Sequence, residues 1–429
     1  MPKNVVAGLL FFFGMTTTSS AEILSTPASV EVRKWQGHYR LEVNGLPFAL
    51  RGAGLENGDL AQLAQRGGTV FRTWSTHNGR QLLDSAQSHG LKVVMGLEIT
   101  AERHGFDYND EKAVAAQIDR IEAEVLALKS HPALLMWVIG NELNLGATNP
   151  KVWDSVNRIA ERIHRIDPKH PVMTAIAGLD ATVVAAIQTR APAVDILGIQ
   201  LYADIAHLPA MLARSGWAGP YIISEWGPTG HWQVPLTAWG APIEDSSAEK
   251  AAHMQDRYRR YVALDNGQYL GDFVFLWGQK QERTPTWYSL FLPSGEPTAA
   301  VDTLQFLWQG QWPENRSPLV SAVHLDGKQA YNNIIVSSGT AYSASVQMDD
   351  PDADPLQVQW TIMRESAAQS SGGDAETIPE TVWQWTSPLG VSCVTLPAPK
   401  DHGAYRLFVT VRDNHGNAGH ANVPFAVKP

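Results

Sequence analysis

The stretch that decides the fold is Leu134-Leu-Met-Trp-Val-Ile-Gly-Asn-Glu-Leu-Asn144. Its apolar run stops abruptly at Gly140, as in a strand that is buried on both faces. Glu142 follows directly, so the strand would deliver a carboxylate to its own carboxyl end. Barrel enzymes hold their catalytic groups at that end of the strands. The stretch therefore predicts a buried barrel strand that presents an acid.

A second stretch of the same design is Tyr221-Ile-Ile-Ser-Glu-Trp-Gly-Pro228, which delivers Glu225. Cleavage of a glycosidic bond needs one carboxylic acid that protonates the leaving oxygen and one carboxylate that attacks the anomeric carbon or activates water. By their spacing, Glu142 and Glu225 would follow the fourth and seventh strands, roughly across the barrel mouth. The pair predicts glycoside cleavage, and the alternative for each residue alone is a solvated glutamate at a strand end.

Bulk composition fits a globular protein, with 429 residues, 44% hydrophobic and 18% charged residues. This length favours a barrel followed by a smaller domain over a single ordinary core. The net charge of −10 argues against binding to nucleic acid or to an anionic membrane surface. It also favours a neutral substrate over a polyanionic one.

Residues 1–21 resemble a secretory signal peptide, with Lys3 before a short apolar run and small residues up to Ala21. The apolar run is too short to span a bilayer, so we expect a secreted protein, periplasmic or extracellular, that does not span the membrane. Cys393 is the sole cysteine. We expect it to be a small buried side chain in a strand rather than a reactive thiol.

Strands and helices alternate from residue 48 to about residue 310. The strand candidates are residues 48–52, 69–74, 92–98, 134–140, 172–176, 196–200, 221–224 and 273–277. The helix candidates are residues 58–64, 79–88, 111–129, 151–166, 181–189, 205–213, 247–264 and 298–307. Eight such units predict an α/β fold, the (β/α)₈ TIM barrel. A doubly wound open sheet is the alternative, but the first strand is not followed by a Gly-rich phosphate turn.

The remaining segments complete the expected domain organisation. Residues 30–45 predict a hairpin ahead of the barrel, and residues 226–246 predict a long loop that walls the substrate cleft. After a turn-rich linker, short alternating strands predict a C-terminal all-β immunoglobulin-like sandwich. We therefore expect a catalytic domain at residues 22–317 and a sandwich at residues 318–429. Inside the sandwich, the Ser- and Gly-rich residues 367–376 predict a mobile loop.

The segment His131-Pro-Ala-Leu-Leu-Met-Trp-Val-Ile-Gly-Asn-Glu142 resembles the acid/base strand of retaining β-glycosidases with a (β/α)₈ catalytic barrel. These include β-galactosidases, β-glucuronidases, cellulases and β-mannanases. The order His-Pro, apolar strand, Gly-Asn-Glu is most similar to that of the β-galactosidases and β-glucuronidases. Ile223-Ser-Glu-Trp-Gly227 resembles the nucleophile strand of the same superfamily. The resemblance covers about residues 40 to 307. Large sandwich domains precede the barrel in the β-galactosidase branch, and only a hairpin does so here.

The resemblance implies roles for individual residues. Glu142 would be the general acid/base and Glu225 the nucleophile, with no cofactor in catalysis and no catalytic metal. Asn141 would bind the 2-hydroxyl of the reacting sugar. Arg72 and Tyr202 match residues that steady the nucleophile, and Trp277 matches a tryptophan that floors the subsite. Trp74 and Trp226, which flank these motifs, are predicted to contact substrate as well. Glu98 and His104 either line the cleft or are merely solvated.

Two acidic segments of the C-terminal domain, residues 349–356 and 411–416, resemble loops of cadherin-like and polycystic-kidney-disease-type modules. Their Asp oxygens suit a structural Ca²⁺, although Asp is also a common turn former. The leading function is a retaining β-glycoside hydrolase that acts on a neutral β-linked oligo- or polysaccharide. A β-glucan transglycosylase with the same residues is the first alternative, and a non-catalytic glycan-binding protein the second.

Overall fold

The structure is a computed structural model that describes residues 26–264, 266–370 and 372–428. The predicted signal peptide lies outside these ranges. Among the helices that the ranges contain, none combines the length and the apolar character that crossing a membrane requires.

A small antiparallel meander of three strands precedes the barrel, where the sequence predicted a hairpin. It consists of β1 (Val30–Trp35), β2 (His38–Val43) and β3 (Leu46–Pro47). The turn between β1 and β2 holds Gln36 and Gly37 at positive φ. Val30 and Leu41 are buried in one cluster with the side chains that fill the barrel interior. The meander therefore covers one end of the barrel core.

Eight parallel strands close into a barrel, which confirms the predicted fold class. In chain order they are β4 (Leu50–Leu55), β5 (Val70–Arg72), β6 (Lys92–Leu97), β7 (Leu134–Asn141), β8 (Val172–Ala177), β9 (Ile196–Gln200), β10 (Tyr221–Trp226) and β11 (Tyr269–Trp277). We call them the first to the eighth barrel strand. Because all strands are parallel, their carboxyl ends meet at one mouth.

Helices follow the strands and cover the barrel. They are α1 (Leu60–Gln65), α2 (Gly79–Ser88), α3 (Glu111–Leu128), α4 (Lys151–Ile166), α5 (Ala181–Arg190), α6 (Leu208–Ser215), α7 (Ser247–Arg257) and α8 (Ala299–Gln309). Asp59, Asp110 and Asp180 each accept hydrogen bonds from the first backbone N–H groups of a helix. Such caps satisfy donors that have no partner within the helix. The apolar helix faces pack on the outward side chains of the strands.

The C-terminal region folds into two β-sheets around a separate core. Its strands are β12 (Leu319–Leu325), β13 (Ile335–Ser337), β14 (Ala341–Asp349), β15 (Gln357–Arg364), β16 (Thr381–Thr386), β17 (Cys393–Pro397), β18 (Gly403–Arg412) and β19 (Ala418–Lys428). One sheet has the order β12-β14-β17 and the other β13-β19-β18-β15-β16. All pairs except β13 with β19 are antiparallel. The immunoglobulin-like assignment stays a prediction.

Cys393 corrects one expectation. It lies in a strand, β17, but its side chain is exposed. Side chains alternate between the two faces of a strand, and Leu396 takes the buried face here. Cys393 lies three residues before Leu396, so its side chain is on the opposite face of the strand and is exposed to solvent.

Polar contacts join the C-terminal domain to the loop that follows the seventh barrel strand. Arg406 Nη2 donates to the Pro242 carbonyl over 2.8 Å, and Asn422 Nδ2 donates to Glu244 Oε2 over 2.6 Å. Ile243 is buried in the core of the C-terminal domain. The loop was predicted to wall the cleft, yet this part of it contacts the neighbouring domain.

Candidate active site

A cleft of about 790 Å³ opens at the carboxyl ends of the barrel strands and contains both predicted carboxylates. Its lining draws on every barrel strand end and on the C-terminal domain. The lining residues used below are Glu56, Trp74, Glu98, Arg103, His104, Asn141, Glu142, Leu145, Gln200, Tyr202, Asp204, Glu225, His231, Trp232, Phe275, Lys280, Glu282, Gly372, Gly373, Asp374 and Ala375. Glu142 and Glu225 are thus brought into one site.

The fourth strand turns sharply where it presents its acid. Gly140 has φ +69°, and Glu142 has φ +49°, a left-handed conformation that is uncommon for a residue with a side chain. A Cβ on Gly140 would lie 2.6 Å from Leu143 Cδ1, so only glycine fits there. Leu143 is fully buried and anchors the turn. The Gly-Asn-Glu sequence therefore satisfies a backbone requirement as well as a chemical one.

Glu225 accepts four side-chain hydrogen bonds. Its Oε1 receives Arg72 Nη1 at 2.9 Å, Trp74 Nε1 at 3.0 Å and Gln200 Nε2 at 3.0 Å. Its Oε2 receives the Tyr202 hydroxyl at 3.3 Å. Donors of this kind stabilise the ionised form of a carboxyl group. The arrangement suits a nucleophile that must be a carboxylate.

The amide of Asn141 has a fixed orientation. Its Oδ1 accepts hydrogen bonds from Arg72 Nη2 at 2.5 Å and Gln200 Nε2 at 2.7 Å. Two donors on the oxygen identify the other amide atom as nitrogen. Because Asn141 lines the cleft, its N–H groups are available to an acceptor such as a sugar hydroxyl.

The carboxyl group of Glu142 lies in a different environment. Within the described parts of the chain, no group donates a hydrogen bond to it, although Arg103 Nη1 binds its backbone carbonyl at 2.9 Å. Burial and the negative charge of Glu225 raise the pKa of Glu142 to about 7, against the lowering effect of Arg103 and Arg72. Glu142 is therefore suited to hold a proton near neutral pH.

Burial also raises the pKa of Glu225, and Arg72, Trp74, Lys280 and Tyr202 act in the opposite direction. Two buried carboxyl groups that interact share their protons as a pair. Four donors contact the carboxyl group of Glu225, and none of the residues described in the structure donates to that of Glu142. A single proton on the pair therefore resides on Glu142. The pair has the acid and carboxylate that glycoside cleavage needs.

Most predicted site residues lie at the cleft. Arg72 is buried beneath it and joins Glu225 to Asn141, while Trp74 and Tyr202 line it. Glu98 and His104, left open by the sequence, also line it. Trp74 packs edge-on against Phe275, with ring centroids 5.8 Å apart. These placements leave the individual roles as predictions.

Trp226 was predicted to contact substrate, and this prediction is corrected, because its side chain does not line the cleft. It is fully buried, and its Nε1 donates to Asp272 Oδ1 over 2.7 Å. Adjacent residues of a strand point to opposite faces. Since Glu225 points into the mouth, Trp226 must point toward the helices, where it packs against Tyr258.

Trp277 was predicted to form the floor of the sugar subsite, and this prediction is corrected as well, because its side chain does not line the cleft. It is fully buried, donates from Nε1 to the Asp59 carbonyl at 2.9 Å, and packs against Phe291. The pairing of the eighth strand with the first is irregular between Val274 and Trp277. The irregularity breaks the alternation, so Phe275 takes the cleft-facing place that the sequence assigned to Trp277.

Several cleft residues were missed by the sequence analysis. Gln200 ends the sixth predicted strand, the position at which barrel enzymes place functional side chains, and this signal could have identified it. Lys280 and Glu282 follow the eighth strand and form an ion pair of 3.3 Å. His231 and Trp232 belong to the predicted cleft-wall loop. A polar sequence after a strand does not by itself reveal which side chains turn inward.

One acidic cluster of the C-terminal domain could hold a cation. Ligand oxygens of Asp350, Asp354 and Asp413 lie within 4.8 Å of one another. Asp350 Oδ2 is buried without a hydrogen-bond partner among the described residues, which leaves an oxygen suited to a metal ion. All-oxygen donor sets of this kind fit Ca²⁺.

Comparison with known proteins relates the barrel to a family. Residues 71–230 match the family described as Glycosyl hydrolases family 2, TIM barrel domain. This match agrees with the resemblance inferred from the two glutamate motifs, and the matched segment is similar to a glycoside hydrolase barrel domain. A sequence search of curated proteins gave no match.

Solved structures share the fold at low sequence identity. Bacteroides uniformis β-glucuronidase 2, bound covalently to cyclophellitol-6-carboxylate aziridine, has a TM-score of 0.52 and 14% identity, and the match covers 93% of this chain and 48% of that one. A putative β-galactosidase from Bacteroides fragilis has a TM-score of 0.50 and 12% identity over 94% of this chain and 57% of that one. The chain thus spans about half the length of these neighbours.

Proposed function

We propose that this protein is a retaining β-glycoside hydrolase in which Glu142 is the acid/base and Glu225 the nucleophile. The observation that carries the proposal is the contrast between the two carboxyl groups in one cleft. Glu225 is held by Arg72, Trp74, Gln200 and Tyr202, whereas no described residue donates to the carboxyl group of Glu142, whose pKa is raised to about 7.

The reaction takes two displacements. Glu225 attacks the anomeric carbon and forms an ester bond with it, while Glu142 gives its proton to the departing glycosidic oxygen. The ester neutralises Glu225, which removes the charge that raised the pKa of Glu142. Glu142 is then a carboxylate and takes a proton from water as the water breaks the ester. Both groups return to their starting protonation states.

The charge of the cleft supports a neutral glycan as substrate. Seven carboxyl side chains line the cleft, and its cationic or titratable bases are Arg103, Lys280, His104 and His231. Arg103 and Lys280 already contact protein carbonyl groups. A uronic acid would meet mostly like charge in this cleft. We propose β-linked neutral oligo- or polysaccharides, with the sugar to be identified by experiment.

A transglycosylase is the second candidate, and Trp232 favours it. This side chain lines the cleft, is 59% exposed, and meets Tyr202 edge-on at 5.5 Å. An exposed indole beside the reacting centre offers a stacking surface for an acceptor sugar. Products longer than the substrate would identify this activity.

The test of the proposed function is a screen of the wild-type protein on aryl β-glycosides, β-glucans, mannan, xylan and galactan. For each active substrate the Glu225→Ala variant should lose at least about 10³-fold in kcat/KM. Gln359→Ala, a substitution in the C-terminal domain away from the cleft, is the matched control. Full activity of Glu225→Ala on every hydrolysed glycan would refute the proposal.

We also propose that the protein is secreted, on the strength of the sequence of residues 1–21. The C-terminal domain is proposed to bind a structural Ca²⁺ through Asp350, Asp354 and Asp413. A bound ion stabilises the folded state by mass action. Millimolar CaCl₂ should raise the melting temperature of the wild type but not of Asp350→Asn, and an equal response of both proteins would argue against the site.

A further inference from the structure

One connection of the C-terminal domain reaches the active site of the barrel. β15 and β16 pair as antiparallel neighbours, with Met363 opposite Thr381. The chain between them could have turned within a few residues, yet it extends over residues 365–380. Gly372, Gly373 and Asp374 of this connection line the catalytic cleft. We call the described residues of this stretch, 367–370 and 372–376, the strap.

The strap is attached to the loop after the eighth barrel strand. Arg283 donates through its guanidinium to the carbonyls of Ala368 and, over 2.8 Å, Ser370. The Arg283 backbone N–H donates to Glu376 Oε2 over 2.6 Å, and Lys280 Nζ donates to the Gly373 carbonyl. Arg283 itself is absent from the cleft lining. It therefore acts on the strap rather than on a bound sugar.

The other side of the strap meets the loops after the third and fourth strands. His104 Nε2 lies 3.3 Å from Asp374 Oδ1. A Cβ on Gly372 would lie 3.0 Å from both Arg103 Nη2 and Leu145 Cδ2. Gly372 and Gly373 also have φ +62° and +76°, which favour glycine. A side chain at Gly372 would be both strained and obstructed.

Adjacent residues of the strap thus contact two separate loops of the mouth. Gly373 touches the eighth-strand loop, and Asp374 touches the third-strand loop. The strands between them in the barrel are the first and second, which carry Glu56 and Trp74. The strap therefore crosses the mouth above this sector and leaves the sector of the fifth and sixth strands uncrossed.

From this geometry we infer that the strap closes one end of the substrate cleft and makes the C-terminal domain a part of the substrate-binding site. The inference rests on the proposed glycosidase function. The sugar that lies against the strap is the last one of its chain, so the enzyme acts on chain ends and short oligosaccharides. A long glycan cannot run across the cleft past the strap.

The domain that supplies the strap is firmly attached to the barrel. Arg412 Nε lies 2.7 Å from Glu296 Oε1, and the Ala418 N–H donates to the Pro297 carbonyl over 3.0 Å. Together with Arg406 and Asn422, these contacts join the C-terminal domain to the barrel at a distance from the strap in the sequence. The strap itself is held by its own contacts with Arg283 and Lys280.

Two variants test the inference. In the first, residues 367–378 are replaced by a short Asn-Gly turn, which the β15–β16 pairing can accommodate. In the second, Arg283→Ala removes the guanidinium that holds the strap. Arg412→Ala is the matched control, because it removes an arginine of the domain interface that does not touch the strap. The measured quantity is the loss of polysaccharide viscosity per reducing end released, on the polymer that the wild type cleaves.

The wild type and Arg412→Ala should release many ends with little loss of viscosity, as chain-end attack does. Both strap variants should raise the viscosity loss per released end by about tenfold, because opening the cleft admits internal bonds. An unchanged value in a folded strap variant, or internal cleavage by the wild type, would overturn the inference while leaving the glycosidase function intact. A wild type without activity on any glycoside would instead overturn the proposed function.

Discussion

The proposed roles of Glu142 and Glu225 rest on the groups that contact each carboxyl group. Both are buried, and burial raises both pKa values. Four donors favour the charged form of Glu225, whereas the charge of Glu225 itself favours the protonated form of Glu142. The two roles could be assigned from the sequence only by resemblance, because a run of letters does not show which donors surround an acid.

Loss of the acid should depend on the leaving group. We expect Glu142→Ala to lower kcat/KM by about 10²- to 10⁴-fold for alkyl or sugar leaving groups, the usual contribution of general acid catalysis. For 2,4-dinitrophenyl glycosides the loss should be small, because this leaving group departs without a proton. Equal losses on both substrate types would contradict the acid role of Glu142.

The pH dependence follows from the same pair. Above pH about 7 Glu142 loses its proton, so kcat/KM should fall about tenfold per pH unit. On the acid side Glu225 must be ionised, and because its pKa is raised above 4.5, the acid limb should begin above that pH. The test is a kcat/KM profile from pH 4 to 9. A flat profile from about pH 6 to 9 would contradict the assignment of the proton to Glu142.

At the level of the element, the fourth strand ends in a turn that only glycine permits. Gly140→Ala places a methyl group 2.6 Å from Leu143 Cδ1 at φ +69°. We expect a loss of about 2–4 kcal/mol in the free energy of unfolding, together with a displaced Glu142 and reduced kcat. Chemical denaturation and steady-state kinetics measure the two effects.

Gly216→Ala is the matched control for this substitution. Gly216 has φ +72°, but a Cβ there would meet no atom within 4 Å. The free energy of unfolding of Gly216→Ala should decrease by only about 1 kcal/mol, because the only cost is the strain of a side chain in the left-handed region. Equal losses for the two variants would show that contact with Leu143 has no effect.

Sequence periodicity located the barrel strands well, since apolar runs and polar ends recur in each unit. Periodicity did not predict the orientation of side chains where strand pairing is irregular, or where a shift of one residue moves a side chain to the other face of the strand. Because the pairing of the eighth strand is irregular near Trp277, the side chain of Phe275 faces the cleft and that of Trp277 does not. Trp226 and Cys393 each lie on the strand face opposite to that of Glu225 and Leu396, respectively. Such one-residue shifts depend on pairing with other strands, which local patterns do not contain.

At the scale of the whole molecule, a buried polar cluster joins the two domains. Glu244 pairs with Lys250 and accepts from Asn422, and its pKa is lowered to about 2 because the charges of Lys250, His420 and Arg406 outweigh burial. Burial and Lys250 lower the pKa of His420 to about 3. The sequence predicted two domains but not this cluster, because His420 and Asn422 lie more than 150 positions from Glu244 in the chain.

The interface should make stability depend on pH. Between pH 6.5 and about 3 the unfolded chain protonates His420 whereas the folded protein does not, so stability falls as pH falls through this range. The slope contributed by one group is at most about 1.4 kcal/mol per pH unit. Urea unfolding at pH 7 and 5 should show a smaller decline for His420→Gln than for the wild type.

His402→Gln is the control, because His402 is an exposed residue of the same domain. It should decline as the wild type does. A decline of His420→Gln equal to that of the wild type would show that His420 does not govern the pH dependence of folding.

The central claim is double displacement by Glu142 and Glu225, and the configuration of the first product tests it most directly. Proton NMR of the reaction with a β-glycoside that the protein cleaves resolves the two anomers before mutarotation mixes them. Two displacements at the anomeric carbon restore its configuration, so we predict that the β-anomer appears first. First appearance of the α-anomer would mean a single displacement by water and would contradict the role of Glu225 as nucleophile.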